Sequence, residues 1–207
     1  GSGAAVTDVL DLTGGTNNVG LGSGTFASIT SGDDNVVIGE NAGDALTSGN
    51  DNTLVGDNAG TEVTTGFNNT FVGSRSGDAI STADNNVAVG FNSLGSDTKG
   101  DRSVALGSAA LATQNFTTTT DVYNVAVGYT AGFAITTGDE NTLVGGQAGD
   151  ALTEGVRNTA LGRVALSTDT LGQYSVAVGY AALFAQNQTT AVNTYNVAVG
   201  YNAGGAI

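Results

Sequence analysis

The phrase Asn/Ser-x-x-aliphatic-Gly recurs through this chain in one register. Its glycine stands at Gly22, Gly39, Gly56, Gly73, Gly90, Gly107, Gly128, Gly145, Gly162, Gly179 and Gly200, a constant spacing lengthened only at Gly107–Gly128 and Gly179–Gly200. Eleven copies in register mean one supersecondary unit stacked on itself. Leu12-Thr13-Gly14-Gly15 matches the later Leu46-Thr47-Ser48-Gly49, so a partial coil is expected over 1–12, and the last copy is cut short at Ile207. The array reads as one domain over 1–207. Frequent glycine and alternation with period two exclude helix. The expectation is an all-β parallel β-solenoid or β-roll of about eleven coils, a rod on the order of 50 Å long at about 4.8 Å per coil.

The residue before the glycine is always Leu, Ile or Val, and the one before that runs Gly20, Val37, Leu54, Phe71, Ala88, Ala105, Ala126, Leu143, Ala160, Ala177 and Ala198. Neighbouring strand residues point to opposite faces. Both faces of this strand are thus apolar, which calls for burial on both sides. A coil of two short strands has one interior, so the second face should meet another copy of the chain. The small apolar stripe of Ala88, Ala105, Ala126, Ala177 and Ala198 is the expected interface.

The second expected strand carries an exchange. Where the fourth residue after the glycine is Gly, the seventh is aliphatic, as in Gly43 with Leu46 or Gly149 with Leu152. Where the fourth is Leu, the seventh is polar: Leu94 with Asp97, Leu111 with Gln114, Leu166 with Asp169, Leu183 with Gln186. One large side chain per coil would fill one slot of a close-packed interior. Only the first copy, with Phe26 and Ile29, breaks the rule. Each pair of Leu coils ends at one of the two longer steps, which gives super-repeats at about 36–107 and 108–179, with 180–207 as the last coils.

Ser103-Val104-Ala105-Leu106-Gly107 and Ser175-Val176-Ala177-Val178-Gly179 resemble the Ser-Val-Ala-Ile-Gly repeat of trimeric autotransporter adhesin heads. The variants Asn52-Thr53-Leu54-Val55-Gly56 and Asn69-Thr70-Phe71-Val72-Gly73 are similar to arrays in phage tail fibre proteins. The resemblance runs from Leu12 to Ile207. It implies a left-handed β-roll, three chains about one axis, and the Val-Ala-Val strand turned toward that axis. The period here is longer than the usual adhesin-head repeat.

Composition narrows the functions. The chain has 207 residues, a formal charge of −14, and no Cys, Met, His, Trp or Pro. Cysteine chemistry is absent, and five basic residues among nineteen acidic ones argue against nucleic acid as a partner. Nothing resembles a membrane span or a signal peptide, so a soluble chain is expected. Without an initiator Met and opening on Gly-Ser-Gly, it reads as a processed chain or a fragment. With no His or Cys and no polar cluster that stands outside the repeat, no enzyme is expected. Paired carboxylates for glycoside hydrolysis are the nearest enzymatic pattern.

The Asn four before the glycine, from Asn18 to Asn196 with Ser103 and Ser175 in two copies, suits a ladder of stacked amides. Acidic turns (Asp33-Asp34, Asp51, Asp84, Asp139-Glu140) are oxygen ligands suited to calcium, but no spacing matches a calcium loop, and no cofactor or metal is expected. A rank of Thr30, Thr47, Thr64, Ser81, Thr98, Thr136, Thr153 and Thr170 suits either β-propensity or an ice-binding face. All six tyrosines lie between Tyr123 and Tyr201. The two longer steps place their extra residues within Gln114–Asp121 and Gln186–Asn193, expected to bulge as loops. Asn115, Thr117, Tyr123, Asn187, Thr189 and Tyr195 form the expected contact surface, since loops on a rigid scaffold gather binding groups. The expected function is a trimeric adhesive rod, extracellular, on a cell surface or a virion, that displays these loops to a surface glycan or receptor. The alternative is a monomeric ice- or polysaccharide-binding solenoid.

Overall fold

The structure is a computed structural model and describes residues 14–205. The partial coil expected over 1–12 and the partner of Gly204 at Ile207 lie outside the described residues. The chain forms a parallel β-solenoid with no helix among the described residues. Eleven short strands, from Val19–Leu21 to Val197–Val199, make one sheet in which each strand pairs with its neighbour in the repeat. Pairing follows the aligned phrase, as in Val36↔Thr53 and Leu54↔Phe71. It survives the first longer step, with Val104↔Val125 and Leu106↔Val127.

The repeat glycine turns the chain out of the sheet with φ between 129° and 142°. A Cβ on Gly56 would lie 2.5 Å from the carbonyl oxygen of Gly73 in the next coil. Both the dihedral and the close stacking demand glycine at this point.

The second strand of each coil does not form. Residues two and four past the glycine take left-handed dihedrals, for example Asn41 at 52° and Gly43 at 54°. An extended strand cannot pass through such residues. What looked like strand alternation is a run of turns. Its amides still bond from coil to coil, Gly43 to the Ala59 carbonyl at 3.1 Å and Ala45 to Thr61 at 3.0 Å. Two further pairs of short strands occur only beside the insertions, Gly100–Asp101 with Thr120–Asp121 and Gly172–Gln173 with Val192–Asn193.

The interior explains the exchange at the fourth residue. Leu94, Leu111, Leu166 and Leu183 are fully buried, at φ between 50° and 54°. A side chain in that conformation costs about 1–2 kcal/mol. Burying a leucine contributes about 1.5–3 kcal/mol. The two nearly balance, so Gly and Leu interchange there. The residue two before the glycine completes the set. Every Leu coil carries Ala at that position, while Val37, Leu54, Phe71 and Leu143 accompany Gly43, Gly60, Gly77 and Gly149. A Cβ on Gly149 would stand 2.8 Å from Leu143 and 2.9 Å from Leu152, so all three positions share one cross-section. The first coil fits the same rule: Phe26 is buried because position 20 is glycine, where a Cβ would be 2.8 Å from the Phe26 ring. Ala126 faces Gly132, and there Leu111 of the preceding coil fills the space, 2.9 Å from where a Cβ on Gly132 would stand.

The asparagines line the other side of this core. The Asn35 Oδ1 accepts from the Asn52 backbone N at 3.0 Å and from its Nδ2 at 3.1 Å, and that Nδ2 also donates to the Gly66 carbonyl at 2.9 Å. The pattern repeats at Asn69 and Asn158. Fully buried amides are therefore satisfied by their copies.

Candidate functional site

The expected interface alanines point the other way. Ala88, Ala105, Ala126 and Ala177 are 0% exposed within a single chain and Ala198 is 7% exposed. They belong to the chain's own core: Ala88, Ala105 and Ala177 leave room for Leu94, Leu111 and Leu183 of their own coils, and Ala126 for Leu111 of the preceding one. This corrects the interface set drawn from the sequence. The outer face of the sheet is built from the residues one and three before each glycine. It comprises eighteen aliphatic residues and four threonines (Thr53, Thr70, Thr142, Thr159) and no charge. Val19, Leu21, Val89, Leu161, Val197 and Val199 are exposed on it, and the remaining aliphatic residues are partly covered.

The insertions are exposed only in part and are anchored from within. Thr117, Thr118 and Thr119 are open to water, while Gln114 and Phe116 are buried and Thr120–Asp121 pairs with the coil before it. Asp97 is fully buried; its Oδ1 accepts from the Gly100 amide at 3.1 Å and the Phe116 amide at 2.9 Å. Its Oδ2 accepts from Gln114 Nε2 at 2.5 Å. Gln114 also donates to Ser103 Oγ at 3.0 Å and accepts from Asn124 Nδ2 at 2.9 Å. The amide ladder, interrupted by Ser103, is thus rerouted through Gln114. Asp169, Gln186, Ser175 and Asn196 repeat the arrangement, with the Gln188 amide 2.9 Å from Asp169 Oδ1. The signal for these anchors was in the sequence: a polar residue in an otherwise aliphatic rank, always one coil before an insertion or at its start.

Outside these anchors Asn115, Thr117, Asn187 and Thr189 are exposed. The amide oxygens of Asn115 and Asn187 accept from Thr98 and Thr170, each at 3.3 Å. The two loops sit in the same register four coils apart, roughly 19 Å along the rod. They make two patches rather than one. Tyr123 and Tyr195 flank them, 51% and 65% exposed. Arg102 lies 5.7 Å from the Tyr123 ring centre and pairs with Asp121. Near the second loop, Arg157 grips Glu140 through Nε at 2.6 Å and Nη2 at 3.1 Å, and donates to the Tyr174 hydroxyl at 2.7 Å. The Tyr174 ring stacks on Tyr195 with centres 5.3 Å apart. The Arg157 hydrogen bond holds the Glu140 carboxyl below its ordinary range. This lane of cations and rings was not read from the sequence, since it needs coils stacked at known spacing.

Most of the remaining candidates are taken up by the scaffold. Thr47, Thr64, Thr136 and Thr153 donate their hydroxyls to carbonyls of the next coil at 3.0–3.2 Å. Asp33 accepts from Thr16, and Asp84 from the Phe67 amide at 2.9 Å. Among the described residues no three acidic groups gather where a metal ion would sit, and no helix is long and apolar enough to cross a membrane. Compared with family models, curated proteins and solved structures, the chain matches none.

Proposed function

We propose that this chain is a segment of a non-enzymatic adhesive fibre, in which three left-handed solenoids pack their outer sheet faces about a common axis and display the inserted loops for attachment. The observation that carries the reading is the outer face. It is an uncharged, largely aliphatic stripe on the order of 50 Å by 10 Å, at the upper end of what monomers expose. The identical spacing of its ranks suits a parallel, in-register copy of itself. Charge supports the assignment of faces, since none of the nineteen acidic residues falls on the stripe. The loops and flanking tyrosines offer hydroxyls, amides and ring faces, groups that engage a surface glycan. A cell surface or a virion is the setting such a fibre serves.

Attachment is tested with Thr117→Ala, Tyr123→Ala, Thr189→Ala and Tyr195→Ala combined in one chain, applied to glycan arrays and intact cells. The substituted positions are exposed, so the coil and the assembly should be preserved. Loss of binding with the assembly intact is expected. Undiminished binding removes the loops as the contact surface.

A further inference from the structure

On the coils that carry and follow the first insertion the solenoid leaves an open cavity of about 370 Å³, lined by Ala109, Tyr129, Thr130, Phe133, Gln147 and Asp150. Its size falls at the small end of small-molecule sites, which span about 300–1,000 Å³. It lies apart from the loop residues assigned above and does not depend on their role.

Three features of the cavity stand out from the repeat. The first is Tyr129. Tyr123, Tyr174 and Tyr180 each have an arginine guanidinium 5.6–5.9 Å from the ring centre. Tyr195 and Tyr201 stack on Tyr174 and Tyr180. Tyr129, 65% exposed, makes neither contact. The second is the gap around it. Its neighbours in the rank just past the repeat glycine are Ser108 and Gly146, and a Cβ on Gly146 would meet only the Tyr129 carbonyl, at 4.0 Å. Backbone bonds hold this rank in register, Thr130 to the Ser108 carbonyl at 3.0 Å and Gln147 to that of Tyr129 at 2.9 Å. A ring-covering side chain is therefore missing at a place where the repeat elsewhere supplies one. The third is Asp150, whose Oδ1 is shut off from solvent with no hydrogen-bond donor. The two ion pairs among the described residues, Arg102–Asp121 and Arg157–Glu140, do not involve it. Desolvation raises its pKa, opposed by a smaller contribution from a hydrogen bond to its own backbone amide, and among the described residues no cation pairs with it.

We infer that this cavity is a binding site for a guanidinium-bearing ligand, stacked on Tyr129 beside Phe133 and paired with the Asp150 carboxylate. A ring face attracts a cation, and the chain itself sets an arginine on a tyrosine ring three times, once in this same rank, with Arg163 on Tyr180. A neutral sugar would offer hydroxyls to Gln147 and Thr130 but would leave the Asp150 charge uncompensated. The net charge of −14 favours cationic ligands at long range.

The test is a titration of the intact chain followed by amide NMR at low ionic strength. The probes are methylguanidinium, acetyl-Gly-Arg-Gly-amide and methyl glucoside. Saturable shifts confined to Thr130, Phe133, Gln147 and Asp150 are expected with the guanidinium probes. Tighter binding of the free cation identifies a small-molecule ligand, and tighter binding of the peptide identifies a partner's arginine. Asp150→Asn should weaken binding about tenfold, the loss of one charge-assisted contact. Ser108→Arg should abolish it by placing the chain's own guanidinium on Tyr129, as Arg102 does for Tyr123 across a step of the same length. Unchanged β circular dichroism certifies both variants as folded. Saturation by the glucoside alone, no saturation by either guanidinium probe, or binding undiminished in both variants overturns the assignment.

Discussion

The two faces of the eleven-stranded sheet are both apolar, yet only one of them is finished within the chain. The inner rank, two residues before each glycine, is completely covered over Val37–Ala177. Its side chains vary from alanine to phenylalanine, matched to what stands at the fourth and seventh positions of the coil or, at Ala126, to Leu111 of the preceding coil. The outer ranks vary little, among Val, Leu, Ile and Thr, and remain partly open to water. Variation that is compensated locally marks a chain's own core. Uniformity along the rod is what the proposed packing against an in-register copy would use. The polar exceptions on the inner side, Asp97 with Gln114 and Asp169 with Gln186, are the places where the core reaches out to hold a loop.

The contrast is broken most severely by charge on the inner rank. Ala126→Asp should cost at least about 3–5 kcal/mol, an unpaired buried carboxylate, and abolish the cooperative urea transition or move it far down. Val127→Lys, one residue away on the outer face, should leave the β circular dichroism unchanged. Equal damage from both would mean that the faces are not different in kind.

Asp97→Ala should come next. It strips the acceptor from the amides of Gly100 and Phe116 and from Gln114, each a buried donor worth about 1–3 kcal/mol when orphaned, and a total of about 2–4 kcal/mol is expected after relaxation. Hydrogen exchange at the Phe116 amide should accelerate more than at amides four coils away.

A smaller effect tests the shared cross-section. Gly149→Leu should overpack its coil by about 1–3 kcal/mol. Adding Leu143→Ala, which recreates the pattern of the Leu coils, should recover part of that loss, with a coupling of about 0.5–3 kcal/mol for residues in contact. Strict additivity in urea melts would show that the positions do not share space.

The mildest prediction concerns pH. Burial raises the pKa of Asp150, so the folded chain holds that proton more tightly than the unfolded one. Stability from this group is therefore penalised in full above the folded pKa and relieved as pH falls through it toward the ordinary value of 3.8. Asp150→Asn should be the more stable form at pH 7, with the gap closing on acidification. A gap that widens instead would contradict the uncompensated charge.

Much of this was legible because one short unit repeats. Coil count, parallel pairing and register follow from the spacing of glycines. Sidedness was not legible from apolarity, since alanine and valine both read as buried. It lay in covariation between coils: Ala88, Ala105, Ala160 and Ala177 accompany Leu94, Leu111, Leu166 and Leu183. The second strand was misread because glycine and leucine in left-handed conformation mimic alternation. The Arg–Tyr lane was invisible because its partners stand a full coil apart along the chain and meet only once the coils are stacked.

Sedimentation equilibrium of the intact chain, beside Val125→Lys/Val127→Lys, tests the unfinished face most directly. The wild type should sediment at three times the chain mass, and the double variant as a folded monomer with the same β circular dichroism. A wild-type chain that stays monomeric at high concentration, with its outer valines open to water, would contradict the account.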